Sequence, residues 1–189
     1  MFNWPQYINQ TKNKSVRTLL VQALEYVKNR EVALDLGAGA LNESKYLLDS
    51  GFKKVIAVDS EEDSEIIQAI KNEAFIFLKN KIEDYEFPEN YFNLINAQFA
   101  LPFIAKEKIN EVSEKIKKSL KVGGIFTGQF FGEKDSWAGR DGVAVYDEVE
   151  VRDLLSGLDI IYWQEEEKDG KTANNDAKHW HIFHFITQK

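Results

Sequence analysis

The chain has 189 residues, 43% apolar and 13% aromatic, with 24 basic and 31 acidic side chains, a formal charge of -7 and a pI near 5.1. This length fits a single domain over 1–189 with a core of its own, and the lack of cysteine excludes disulfides, thiolate zinc sites and thiol nucleophiles. The acidic balance argues against nucleic acid as a partner; with no signal-peptide h-region and no run of the ~18 apolar residues a membrane span needs, a soluble cytoplasmic monomer or homodimer is expected.

In chain order, Val16, Leu19, Leu20, Ala23, Leu24 and Val27 recur at helical spacing within a helical segment over 1–30. The apolar run V-A-L-D-L (32–36) predicts a buried strand. A helix follows from Asn42 to Asp49, stopped by Gly51. K-V-I-A-V-D (54–59) predicts a second strand and Glu62 to Ile70 a helix, and A-F-I-F-L (74–78) and F-N-L-I-N-A (92–97) read as two more strands. Ile109, Val112, Ile116 and Leu120 mark an amphipathic helix. Its lysines 115, 117, 118 and 121 complement the helix dipole at that end and make a poor nucleic-acid patch. Gly123-Gly124 then break the pattern before a strand at 125–131, and Val149 to Leu155 suggests one more helix. Strands at 158–164 and 180–186 flank a polar connection, Glu165 to Lys178, too hydrophilic for a packed crossover helix, so this pair is expected to form an antiparallel hairpin. Strands alternating with helices predict an α/β chain with a mainly parallel sheet.

The chemistry concentrates after the first strand. In D-L-G-A-G (35–39), Gly37 and Gly39 permit a tight turn and close approach of a ligand at the carboxyl end of the sheet. Twenty residues beyond Gly39, Asp59 ends the second strand, where a carboxylate can accept hydrogen bonds from the two hydroxyls of a ribose. The alternative for Asp59 is a helix cap. A dinucleotide fingerprint needs a third glycine where Asn42 stands. Asp35 repels a pyrophosphate but suits a ligand with an ammonium and a sulfonium, and S-adenosylmethionine carries both.

On these residues the chain resembles class I S-adenosylmethionine-dependent methyltransferases over essentially its whole length. D-L-G-A-G is similar to the family's first motif and A-V-D-S (57–60) to its second; 81–97 looks like the adenine-binding turn leading into the fourth strand, and L-K-V-G-G-I-F (120–126) like the entry to the fifth. Within the class, I-N-A-Q-F-A-L-P-F-I (95–104) and K-H-W-H-I-F-H (178–184) look closest to small bacterial tellurite-resistance methyltransferases. The resemblance implies a Rossmann-like three-layer sandwich, with a mostly parallel seven-stranded sheet ending in the antiparallel C-terminal hairpin. It implies S-adenosylmethionine as cofactor, with Gly37, Ala38 and Gly39 under its methionine part and Asp35 on its amino group. Asp59 with Ser60 would take the ribose, Lys81 and Ile82 the adenine edge, and Asn96, Ala97 and Gln98 would face the cofactor. Departures occur at Leu41, where the family often has glycine, and at Lys81, where it usually has an acid, so that Glu83 or the backbone of Ile82 would meet the adenine amine; Asn93 replaces the usual aspartate.

The acceptor side is less legible, and no catalytic residue is assigned. Candidates are Asp135 and Trp137 in the loop 133–141, which also carries Arg140, and His179 and His181 on the last strand. Two histidines at i, i+2 without a third ligand predict no metal site. Trp4, Tyr7 and Arg17 lie where such chains fold back over the cofactor, and Arg17 is the candidate for the methionine carboxylate. The expected activity is methyl transfer to a small-molecule acceptor. A nicotinamide-dependent oxidoreductase, disfavoured by Asp35 and Asn42, and a non-catalytic cofactor-binding protein are the alternatives.

Overall fold

The strand that precedes the glycine turn lies mid-sheet, at the point where strand order reverses. The computed structural model describes residues 2–189. Helices α1 (Trp4–Thr11) and α2 (Thr18–Ala23) precede β1 (Val32–Leu36), α3 (Asn42–Asp49), β2 (Lys54–Asp59), α4 (Ser64–Ala69), β3 (Phe75–Lys79) and β4 (Phe92–Ala97). Then come α5 (Ile109–Ser119), β5 (Leu120–Gly132), β6 (Val145–Tyr146), α6 (Glu148–Leu154), β7 (Asp159–Lys171) and β8 (Ala177–Gln188). The sheet order is β3-β2-β1-β4-β5-β8-β7, with β1 to β5 parallel and β8 antiparallel to both β5 and β7. β1 is thus flanked by β2 and β4, and its carboxyl end opens on the switch point where ligands of such sheets bind. No helix among the described residues is long and apolar enough to cross a membrane.

The expected seven strands and closing hairpin are present. An eighth strand, β6, pairs parallel with Phe131 and Gly132 of β5; two residues leave no periodic signal to read. The glycine pair does not separate helix from strand: α5 ends at Ser119, and the fifth strand begins at Leu120 and runs through the glycines. Gly123 (φ 77°) and Gly124 absorb a register shift against β4, and a Cβ on Gly124 would lie 2.8 Å from Lys121 O. The polar connection is mostly strand as well, because β7 lies on the sheet edge, where charged side chains stand in water without loss of pairing. Only residues 172–176 turn. α4 is shorter than expected because Asp63 caps it, its Oδ1 accepting from Glu65 N and Ile66 N at 3.1 Å.

Alternation along the strands divides the core between two faces. Leu34, Ile95, Phe126 and Phe185 point to one face, covered by Val112 and Ile116 of α5 and Val151 and Leu154 of α6. Ala33, Leu94, Ile125 and Ile186 point to the other, covered by Leu20 and Ala23 of α2 and Leu47 of α3. Asp35 has the parity of Ala33, so it emerges on the α3 side, at the carboxyl end of β1.

Candidate functional site

Three positive backbone angles shape the turn after β1: Gly37 (φ 66°), Gly39 (φ 48°) and Leu41 (φ 60°). The amides of Gly37 and Ala38 donate to Val58 O at 2.8 and 3.2 Å, which pins the turn to the end of β2. The two glycines serve different needs. A Cβ on Gly37 would come within 2.5 Å of Ala100 Cβ, so the chain's own loop after β4 takes that space. At Gly39 nothing lies nearer than 3.9 Å, and that face of the turn is open. Leu41 holds the third position in a left-handed conformation, which costs a non-glycine residue about 1–2 kcal/mol. Its buried side chain offsets this by packing with Ile8 of α1 and with Ala38, Ala40, Ala57 and Ile66. Asn42 Nδ2 adds a 2.8 Å hydrogen bond to Thr11 O, so α1 is fastened to the turn twice.

Asp59 caps no helix. Its Oδ2 accepts from Gly39 N at 2.8 Å and its Oδ1 from Glu61 N at 2.9 Å, leaving each oxygen a further lone pair. Burial raises its pKa, opposed by these backbone hydrogen bonds. Asp35 is deeper, 2% exposed, with Oδ2 accepting from Ser44 Oγ at 2.6 Å and Oδ1 from Asn96 Nδ2 at 2.8 Å. Burial, helped by the charge of Glu43, raises its pKa from 3.8 to about 7 in spite of those two bonds. A row of buried amides continues from it. Asn96 Oδ1 accepts from Gln98 Nε2 (3.0 Å), Gln98 Oε1 from Gln129 Nε2 (2.8 Å), and Gln129 Oε1 from Phe99 N (2.9 Å). Every donor points toward Asp35, so the row fixes the ends of β4 and β5 around a desolvated carboxylate that a cation beside it would ionise.

The remaining cofactor-side candidates scatter more. Ile82 is buried within a short helical turn (Ile82–Asp84), its Cδ1 3.9 Å from the Cβ position of Gly37, while Lys81 is exposed and Glu83 half-buried. Asn80 N donates to Asp59 O at 2.9 Å, which sets this turn beside the acid. Ser60 is exposed, and Ala97 is fully buried on the α5 side, facing away from Asp35. Arg17 lies 4.6 Å above the Phe99 ring, donates to Tyr7 Oη at 3.1 Å and approaches Glu43 at 3.8 Å. Surface hollows of about 630 and 530 Å³ flank Tyr85, and neither borders the glycine turn.

Beyond Phe99 the carboxyl edge of the sheet carries a cluster of rings. Phe2, Trp4, Phe99, Phe103, Trp137 and Trp180 are half-buried, and with buried Phe131 they meet at centroid distances of 4.8–6.4 Å. Asp135 does not face this surface freely. It is 2% exposed and paired with Lys178, which is 3% exposed. Its oxygens also accept from Trp137 N at 2.9 Å and His181 N at 3.2 Å, anchoring the loop 133–141 to β8. Lys178 Nζ lies 4.1, 4.3 and 5.0 Å from the ring centres of Trp137, Trp180 and Phe131. Burial lowers its pKa, and Asp135 opposes the shift. The histidines serve the hairpin. His181 Nδ1 accepts from Lys134 N (3.2 Å) while Nε2 meets Glu165 at 2.8 Å, so Nε2 carries the proton. His179 pairs with Asp169 at 2.7 Å, which raises its pKa, and His184 pairs with Glu166 at 3.1 Å while burial lowers its pKa.

Residues 34–127 match the family model described as a methyltransferase domain. The chain belongs to the S-adenosylmethionine-dependent methyltransferases. Among curated proteins nothing matches. Among solved structures it is similar to TehB from Haemophilus influenzae, at a TM-score of 0.79 and 18% identity over 98% of this chain and 67% of that one. A 1,6-didemethyltoxoflavin-N1-methyltransferase from Burkholderia thailandensis, bound to 1,6-didemethyltoxoflavin and S-adenosylhomocysteine, gives a TM-score of 0.71 at 19% identity, covering 92% of this chain and 77% of that one. An S-adenosylmethionine-dependent methyltransferase from Mesorhizobium loti gives 0.70 at 14%, covering 90% and 95%. At these identities the likeness is one of fold.

The residues of this methyltransferase fit an adenosyl sulfonium. Gly39 leaves its face of the turn open, Asp59 keeps free lone pairs beside it, and the desolvated Asp35 sits at the carboxyl end of β1. Several residues of the site escape sequence reading. Gln129 completes the amide row, the Ser44 hydroxyl donates to the other oxygen of Asp35, and Lys178 forms the buried pair. The one signal for Lys178 is its parity with Trp180 on the last strand, two residues apart in an aromatic-rich chain.

Proposed function

We propose that this methyltransferase transfers the methyl group of S-adenosylmethionine to a small-molecule acceptor by in-line displacement, residues 1–189 acting as one domain with the segment 1–30 folded over the cofactor. The observation that carries the reading is the pairing of Asp59 with the open Gly39 turn, and of Asp35 with Ser44 and Asn96 beneath it. In this reading Asp59, with Ser60 beside it, holds the ribose hydroxyls and Asp35 balances the methionine ammonium, directly or through water. Ile82 gives the adenine an apolar edge, with Lys81 and Glu83 at its rim. Asn96 and Gln98 fix Asp35 in place, and Arg17 takes the methionine carboxylate. Bound S-adenosylmethionine supplies an electrophilic methyl on sulfur. The chain's task is then to hold an acceptor lone pair in line with that methyl and exclude water, and a base is needed only where the acceptor must lose a proton. The ring cluster beyond Phe99 is the surface left for the acceptor. A small acceptor agrees with the net charge of -7, and the Burkholderia neighbour carries a small-molecule ligand.

The test is transfer of labelled methyl from S-adenosylmethionine into a cell extract separated by size. Label in the fraction that passes a small-pore filter is the expected result. Label retained with protein or nucleic acid would overturn the choice of acceptor class.

A further inference from the structure

Core phenylalanines of this chain are sealed: Phe92, Phe126, Phe130, Phe183 and Phe185 are 0–2% exposed. The rings beyond Phe99, Phe131 apart, are not, and one of them sits in a site built for a ring. Phe2 stacks on Trp4 (centroids 5.1 Å apart, planes at 21°) and takes the edges of Phe103 at 5.1 Å and Trp137 at 5.2 Å. The Arg140 guanidinium covers its face at 4.0 Å and lies 5.1 Å from Trp137. Arg140 forms no ion pair or side-chain hydrogen bond among the described residues, so its planar fork of donors is free for an anion. Phe2 is held by these rings and the Arg140 guanidinium. It lies outside α1, whose N-cap is Asn3, and makes no backbone hydrogen bond among the described residues.

This box connects to the cofactor side through short contacts. Trp4 packs on Tyr7, Tyr7 Oη accepts from Arg17, Arg17 covers Phe99, and the Phe99 amide ends the row that leads to Asp35. Three aromatic walls and a guanidinium favour a flat π-system over a tetrahedral oxyanion, which gains nothing from ring faces.

We infer that the methyl acceptor is a planar aromatic molecule bearing an anionic substituent, and that its ring takes the place Phe2 holds between Trp4, Phe103, Trp137 and Arg140. The inference rests on the methyltransferase reading above and names its acceptor class. Phe2 competes with the acceptor, so the apparent affinity is reduced by the fraction of molecules in which Phe2 has left the box.

The test is isothermal titration of salicylate, naphthoate and quinaldate into the protein saturated with S-adenosylhomocysteine, with cyclohexanecarboxylate and tellurite as non-aromatic anions. At least one aromatic acid should bind and both non-aromatic anions should not. Phe2→Ala should tighten aromatic binding about tenfold by removing the competitor. Trp137→Ala and Arg140→Gln should each weaken it about tenfold, with thermal unfolding and S-adenosylhomocysteine affinity kept close to the parent's. Equal binding of aromatic and saturated acids, binding of tellurite alone, binding of none of the five probes, or a Phe2→Ala variant no tighter than the parent would each overturn the inference and leave the cofactor reading standing. Failure of S-adenosylhomocysteine itself to bind would overturn both.

Discussion

Asp35 places a function-bearing charge where folding disfavours it. In the folded protein its carboxyl titrates at about 7, against 3.8 for the unperturbed group. Between those values the folded chain keeps a proton that the unfolded chain has released, so stability falls as pH rises through the window and stays low above about 7. The difference corresponds to a penalty on the order of 4 kcal/mol for the ionised form, at about 1.4 kcal/mol per pH unit. Asp35→Asn removes the charge and keeps the contacts: the amide oxygen accepts from Asn96 Nδ2, and the new NH2 donates to Ser44 Oγ, whose hydroxyl turns to accept. Without cofactor the variant should therefore be more stable than the parent, with an advantage that widens by roughly 1–3 kcal/mol from about pH 5 to pH 7 and then levels off. Urea unfolding of both proteins at matched pH measures the difference directly. The same variant should lose affinity for S-adenosylmethionine, because a neutral amide does not balance its ammonium. A stability difference independent of pH, or a variant less stable at every pH, would refute the reasoning.

The buried pair behaves in the opposite way. Lys178→Met leaves Asp135 charged and sealed, and should cost about 3–5 kcal/mol, a fall in Tm of roughly 10 °C, whereas Lys178→Met with Asp135→Leu should regain most of that; a single variant as stable as the parent would contradict the pairing. Gly132→Ala puts a Cβ within 2.0 Å of His181 Nδ1 and should destabilise by about 1–3 kcal/mol, a loss that His181→Ala in the same chain should partly relieve when both are followed by thermal unfolding. Leu41→Gly relieves about 1–2 kcal/mol of backbone strain but gives up a leucine whose burial is worth more, so a net loss of about 1–3 kcal/mol is expected, with faster hydrogen exchange in α1, which rests on Leu41 through Ile8.

Local rules made the central turn readable. Helix α3 starts and stops where the glycines around it require, and the acid ending β2 lies one strand away from the turn it closes. The extent of these strands was hidden, because polarity marks water and not loop on an edge strand, and a glycine pair can hold a register shift inside a strand as well as end a helix. Contacts between distant positions were hidden for a plainer reason. Lys178 and Asp135 are 43 residues apart, and nothing in either neighbourhood announces the other. Shorter separations of 10 to 18 residues concealed the role of the histidines, whose partners Glu165, Glu166 and Asp169 lie across a hairpin in a stretch that reads as a linker. The ring box joins three segments and had only the excess of aromatics to suggest it.

In the proposed function, the turn from Asp35 to Gly39, closed by Asp59, holds S-adenosylmethionine. Titration calorimetry of S-adenosylmethionine and NADH into the parent and into Asp59→Ala tests it most directly. One equivalent of S-adenosylmethionine should bind to the parent, NADH should give no heat, and binding should weaken about tenfold or more in Asp59→Ala through the loss of charged hydrogen bonds. An unchanged affinity in Asp59→Ala, or binding of NADH in place of S-adenosylmethionine, would contradict it.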